Sequence, residues 1–152
     1  MPCLSGNFDP TDGIYTQVGI LPVPVPGLVG STITGQTLAF FKAQLDTGAQ
    51  CTCLTQRVTS KVGLTPRGRG LLGSASETKE TNVYMFHVVF VLNAAPDAQS
   101  GTVSGAISMF GPLRGLEVFA EDGDDVDVII GMDILGRGAL HVGFDGRYMF
   151  SW

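Results

Sequence analysis

One stretch limits this chain more than any other: Phe40-Phe41-Lys42-Ala43-Gln44-Leu45-Asp46-Thr47-Gly48-Ala49. Through Leu45 it reads as a strand, with apolar and polar residues interleaved. Asp46-Thr47-Gly48 then ends the pattern with a carboxylate, a small hydroxyl residue and a glycine. A carboxylate just past a hydrophobic strand is costly to bury unless it is hydrogen-bonded or shares a proton. The glycine lets a second backbone, or a ligand, approach closely.

Composition narrows the fold class. At 152 residues the chain is one domain by length, large enough to bury about two-thirds of its unfolded surface. With 44% hydrophobic and 15% charged residues it is a folded globular chain and not a disordered one. Its 21 glycines and 8 prolines, with few runs of helix formers, favour short strands and turns, which predicts an all-β fold. A formal net charge of −5, with no Lys/Arg cluster, argues against a nucleic-acid partner. The segment Met1 to Asp9 has no basic start and no apolar run, so no secretion signal is expected. No apolar stretch is long enough for a membrane span, and a cytoplasmic chain without a membrane partner is the expectation. Three cysteines, an odd number, make no disulfide framework. Cys51 and Cys53 are too close along an extended segment to bridge without distortion, so reduced thiols are expected, one packed inward and one bordering a cleft.

Residues 1–13 are polar and turn-rich and read as a flexible N-terminal arm, leaving 14–152 as a single domain. Ile14 to Val25 turns apolar until Pro22, Pro24 and Pro26 demote its end to an edge or loop. Gln36 to Leu45 is the strand leading to Asp46. Thr55 is placed to cap a short helix, Gln56 to Val62, that stops at Gly63. Leu71-Leu72-Gly73 rises into a hairpin with a long polar tip, Ser74 to Asn82, and Val83 to Leu92 returns as a strand. Thr102 to Phe110 and Leu116 to Ala120 read as separate strands. Val126 to Ile130 is a β-branched run ending at Gly131, Asp133 to Gly138 suits a helical turn, and Ala139 to Trp152 a hairpin around Asp145-Gly146.

Two of these segments stand in a recognisable relation: Leu45-Asp46-Thr47-Gly48-Ala49 early, and Val128-Ile129-Ile130-Gly131-Met132-Asp133-Ile134-Leu135 late. Together they resemble the retropepsin-like family, the retroviral aspartic proteases and their bacterial and cellular single-domain relatives, over residues 36–152. The resemblance implies a closed β-barrel-like acid protease fold with one or two short helices, in which the two segments cross beneath the active site and a flap hairpin lies between them. It makes Asp46 the catalytic carboxylate, gives Thr47 a hydroxyl grip between two such loops, and has Gly48 leave room for substrate backbone. Ala49 and Gln50 then border the cleft with Ile130 and Gly131, and Ser74, Ala75 and Ser76 sit near the flap tip.

That chemistry needs two carboxylates about one hydrogen bond apart, sharing a proton because both cannot ionise. One acts as general base on a water while the other polarises the scissile carbonyl. The chain holds no second Asp-Thr/Ser-Gly; the other Asp-containing turns, such as Asp12-Gly13, Asp122-Gly123 and Asp145-Gly146, lack the pattern. The second carboxylate is therefore expected from another copy, in a twofold homodimer acting on a peptide or protein substrate as an aspartic endopeptidase. The alternative is a catalytically silent dimeric module that keeps the fold to bind peptides. Retroviral members usually pair an acidic residue after Asp-Thr-Gly-Ala with an arginine after the late glycine; here those positions are Gln50 and Met132.

Other patterns carry less. Gly68-Arg69-Gly70-Leu71-Leu72-Gly73 spells a dinucleotide fingerprint but opens no helix and reads as a hairpin base. No Cys/His spacing suits zinc, and Glu121 to Asp125 does not follow a calcium-loop spacing, so neither metal nor cofactor is expected. His87 and His141 have no evident nucleophile partner.

Overall fold

The computed structural model describes residues 1–25, 28–29, 32–33, 38–73, 76–96, 103–120 and 123–152. Among them the strands are β1 (Cys3–Asn7), β2 (Tyr15–Pro22), β3 (Leu28–Val29), β4 (Thr32–Ile33), β5 (Phe40–Leu45), β6 (Cys53–Thr55), β7 (Gly68–Gly73), β8 (Thr78–Pro96), β9 (Val103–Val118), β10 (Val128–Ile130), β11 (Ala139–Val142) and β12 (Arg147–Ser151). Helix α1 (Gln56–Val62) follows β6, and α2 (Met132–Leu135) follows β10. Gln36, the expected start of the Asp46 strand, lies outside the described residues.

Six strands close a barrel in the order β2-β5-β10-β6-β9-β8, with β8 returning to β2. The all-β, barrel-like expectation thus holds, with two short helices. Alternation does the sorting. In β5, Phe41, Ala43 and Leu45 face inward while Phe40, Lys42 and Gln44 face out or sit half-buried. The core gathers Val18, Ile20, Leu54, Val58, Phe86, Val88, Phe90, Val128 and Ile134 around these, all essentially solvent-free. Each fully buried aliphatic or aromatic side chain of this kind contributes about 2 kcal/mol by leaving water.

Helix α1 ends as expected at Gly63, whose φ of 74° is left-handed and whose N–H bonds the Ser60 carbonyl. Thr55 occupies the cap position, but its hydroxyl makes no capping bond and has no hydrogen-bond partner among the described residues. Strand β9 runs without a break where two strands were expected. Gly111 and Pro112 together face the single residue His87, a bulge that the ladder absorbs between Val88–Phe110 and Phe86–Leu113. Glycine is required at 111: its φ is 145°, and a Cβ there would lie 2.5 Å from His87 Nδ1.

The segment expected to be a loose arm carries β1, which pairs antiparallel with β12 from Cys3–Ser151 to Asn7–Arg147. On its other side β12 pairs with β11. Both edges of the last strand are therefore filled by its own chain. Phe150 is fully buried, and the Trp152 ring packs 4.9 Å from Phe150, 5.3 Å from Phe110 and 5.5 Å from Phe90. Gly6 makes room for this sheet's anchor, since a Cβ there would meet the Tyr148 ring at 2.8 Å; the Tyr148 hydroxyl donates to the Tyr15 carbonyl (3.2 Å).

Candidate active site

Strand β5 ends at Leu45, and the late strand β10 holds the next residue, Asp46, in place. β10 lies between the two early strands, parallel to β5 (Ile130 opposite Leu45) and antiparallel to β6 (Ile129 opposite Cys53). Its Ile130 carbonyl accepts the Asp46 N–H at 3.0 Å, and the Ala49 carbonyl accepts the Met132 N–H at 2.8 Å. The backbones cross so closely that a Cβ on Gly131 would stand 2.5 Å from the Cys51 carbonyl carbon and 3.0 Å from the Ala49 oxygen. Only glycine fits the crossing.

Within the loop, the Gly48 N–H donates to Asp46 Oδ1 at 2.8 Å and fixes the direction of the carboxylate. Asp46 is half-buried, and Thr47 and Gly48 are exposed. The carboxylate opens on a cleft of about 600 Å³. Gly48, Ala49 and Gln50 line one side of it and Leu71, Leu72 and Gly73 of the β7–β8 hairpin another. The floor is Leu116, Val118 and Ile129.

The hairpin is shorter-tipped than expected. β7 and β8 pair from Gly68–Val83 to Gly73–Thr78, so Thr78 to Asn82 belong to a strand. Ser74 and Ala75 lie outside the described residues. Ser76 is exposed in the turn and is not among the described residues lining the cleft. Leu71, on β7 below the tip, is 70% exposed and lines the cleft. At the hairpin base Thr81 Oγ1 donates to the Glu117 carbonyl (2.8 Å) and the Tyr84 hydroxyl to the Glu117 carboxylate (2.8 Å), pinning the ribbon to β9.

Ile130 and Gly131, expected at the cleft, are not on it. Ile130 is 0% exposed inside the barrel, and its neighbour Ile129 faces the cleft instead. Gly131 is enclosed by the crossing described above. Gln50 is exposed and Met132 44% exposed, and neither side chain carries a charge, so the two positions cannot form the retroviral ion pair. A different tie joins the two segments, two residues after Gln50 and one after Met132. The Thr52 N–H donates to Asp133 Oδ2 (3.0 Å) and the Thr52 hydroxyl to Asp133 Oδ1 (2.7 Å), while the Gly131 N–H donates to that hydroxyl (3.2 Å). Thr52 is fully buried. One carboxylate thus locks the Asp46 loop to α2, and only the Thr-x…Gly-x-Asp spacing hinted at it.

Cys51 and Cys53 both line the cleft, Cys51 half-exposed and Cys53 buried. Their Sγ atoms are 3.9 Å apart. The hydrogen bond with Cys53 lowers the Cys51 thiol to about 7 despite partial burial and the Asp133 carboxylate, and Arg114 adds to the lowering. The same bond, with burial, pushes Cys53 up. Among the described residues no group of three or more His, Cys, Asp or Glu could hold a metal, and no helix is long and apolar enough to cross a membrane.

A closed six-stranded barrel with an Asp-Thr-Gly loop crossed by a late apolar-apolar-Gly strand defines a class: the chain has the retropepsin-like fold. A solved structure, a retropepsin-like aspartic protease from Rickettsia conorii, aligns with 98% of this chain and 89% of its own at 15% identity, with a TM-score of 0.50. The retroviral protease-like domain of Ddi1 from Leishmania major aligns with 70% of this chain and 74% of its own at 20% identity, with a TM-score of 0.36. No protein-family model matches the chain, and no curated protein does.

Proposed function

We propose that the chain is an aspartic endopeptidase that works as a homodimer. The observation that carries this reading is a single oriented carboxylate, Asp46, lining a cleft of about 600 Å³, in a chain with one Asp-Thr-Gly. A second copy supplies the matching Asp46 across a twofold axis, and the pair shares one proton. One carboxylate takes a proton from water as the water attacks the peptide carbonyl; the other, protonated, hydrogen-bonds the carbonyl oxygen and then protonates the leaving nitrogen. Thr47, exposed beside each Asp46, grips its mate. Gly48 has no side chain to block substrate backbone, Ala49 and Gln50 border the cleft, and the β7–β8 hairpin covers it, with Ser74, Ala75 and Ser76 nearest the substrate when it closes. The peptide is the partner and no cofactor takes part.

The interface is formed by the Asp46 loops and the hairpins. The terminal strand, whose two edges are already filled by β1 and β11, is not needed to pair with the mate.

Two results are expected. Specific activity against a peptide library falls on dilution, half-maximal at the dimer dissociation constant measured separately by sedimentation. Full activity at nanomolar protein that sediments only as monomer would reject the homodimer. Activity also follows a bell-shaped pH profile, because one carboxyl has to be ionised and its mate protonated, and both limbs belong to the pair. A rate flat from acid to alkaline pH is incompatible with the shared proton.

A further inference from the structure

The peptidase reading leaves a nucleophilic thiol pair in the cleft unused. Cys51 and Cys53 are two positions apart on an extended segment, so both sulfurs face the same side, the side on which Asp46 opens. Cys53 packs against Val83 and Leu116 at 5% exposure, with its Sγ 3.4 Å from the Cys51 carbonyl oxygen and 3.9 Å from Cys51 Sγ. Cys51 is half-exposed to the cleft.

The surroundings divide the labour between them. Buried Cys53 keeps its proton, a single S–H that donates to the Cys51 carbonyl oxygen (3.4 Å) or turns to Cys51 Sγ (3.9 Å) when that sulfur is ionised, and Cys51 carries the negative charge. Of the charged groups that face Cys51, Arg114 favours that charge and Asp133 opposes it, while Asp46 is the other ionisable group of the cleft lining. A thiol held at about 7 is close to the optimum for attacking a disulfide at neutral pH, since a lower value gains thiolate but loses nucleophilicity.

We propose that Cys51 is a thiol–disulfide exchange site inside the cleft, taking one half of a small disulfide while Cys53 supports the thiolate as hydrogen-bond donor. The Cys51 thiolate attacks one sulfur of the incoming disulfide. A Cys51–S–S–R bond forms as the R–S–S–R bond breaks, and the leaving thiolate departs with the electron pair and takes a proton from water. One disulfide is consumed and one is made, so no outside oxidant is needed. A cleft of about 600 Å³ is in the size range that holds drug-sized molecules, which leaves room for the adduct. The bound half fills the space beside Asp46 where substrate has to lie. That consequence rests on the peptidase reading; the adduct itself does not.

The test uses the reduced full chain with oxidised glutathione, quenched in acid and mapped by peptide mass. One glutathione is expected on Cys51, removed by dithiothreitol, at a rate that at pH 6 exceeds that of a cysteine-containing control peptide about five-fold. Cys51→Ser takes up none in the cleft. Cys53→Ala slows the reaction to the control rate and moves its pH midpoint upward, whereas Cys53→Ser, which keeps an O–H donor, restores most of the rate. Labelling confined to exposed Cys3, a Cys51 rate no higher than the control peptide, or a Cys53→Ala variant that reacts like the parent would each overturn the proposal. Cleavage activity that falls in step with the adduct supports both readings. Stoichiometric adduct on a chain with no cleavage activity to lose supports the exchange site and counts against the peptidase.

Discussion

Asp46→Asn is expected to lower peptide turnover by about four orders of magnitude and to leave the thermal transition nearly where it was. The two halves of this expectation come from different atoms. The Gly48 N–H donates to Asp46 Oδ1 at 2.8 Å, and the Asn carbonyl oxygen accepts the same bond, so the loop keeps its shape at a cost below about 1 kcal/mol. The half-buried position adds no large desolvation change. What the amide cannot do is give or take a proton, and in a homodimer the substitution removes both members of the proton-sharing pair at once. The assay is a peptide-library cleavage measurement alongside calorimetry on the same preparation. Cleavage within ten-fold of the parent, from a variant with an unchanged transition, would show that Asp46 is not the catalyst.

Much of the site's scaffold can be read from the sequence, because it depends on short-range pattern. Alternation over Phe40 to Leu45 specifies β5, and the β-branched run before Gly131 specifies β10. Gly63 and Gly146 mark turns that need left-handed backbone, with φ of 74° and 78°. The failures have physical causes. Val128-Ile129-Ile130 is apolar throughout, so no alternation indicates which isoleucine faces the core; the parallel pairing of Ile130 with Leu45 decides it. Gly111-Pro112 is a break signal in any local reading, yet a bulge opposite His87 carries β9 through it. Residues Thr78 to Glu80 are polar because the hairpin ribbon is solvated there, and polarity alone cannot separate an exposed strand from a loop. Strand β1 exists through a partner at least 140 positions away in sequence, which no window of local sequence contains.

The contact least legible in the sequence supports the second large expectation. Thr52 and Asp133 are 81 positions apart, and neither belongs to the Asp-Thr-Gly motif. Yet Asp133 accepts both the N–H and the hydroxyl of a fully buried threonine, whose oxygen in turn accepts from Gly131 at the crossing beneath Asp46. Asp133→Ala strands a buried N–H without a partner and leaves the hydroxyl only the Gly131 contact. Losing hydrogen bonds to a charged acceptor and leaving a buried donor unmet is expected to destabilise the fold by about 3 kcal/mol. For a chain of this length that lowers the melting temperature by about 6 to 12 °C. Thr52→Val removes the hydroxyl but keeps the N–H, so it costs less, about 1 to 2 kcal/mol. In the double variant the two losses overlap, because the hydroxyl–carboxylate bond is removed only once, and a thermodynamic cycle yields a coupling energy of about 1 kcal/mol. Catalysis should suffer beyond the loss of folded protein, since this tie sets the crossing that orients the Asp46 loop. At a temperature where Asp133→Ala is fully folded, kcat is expected to drop while Asp46 itself is untouched. Additive stabilities, or a folded Asp133→Ala chain with parental kcat, would reduce the Thr52–Asp133 contact to an incidental one.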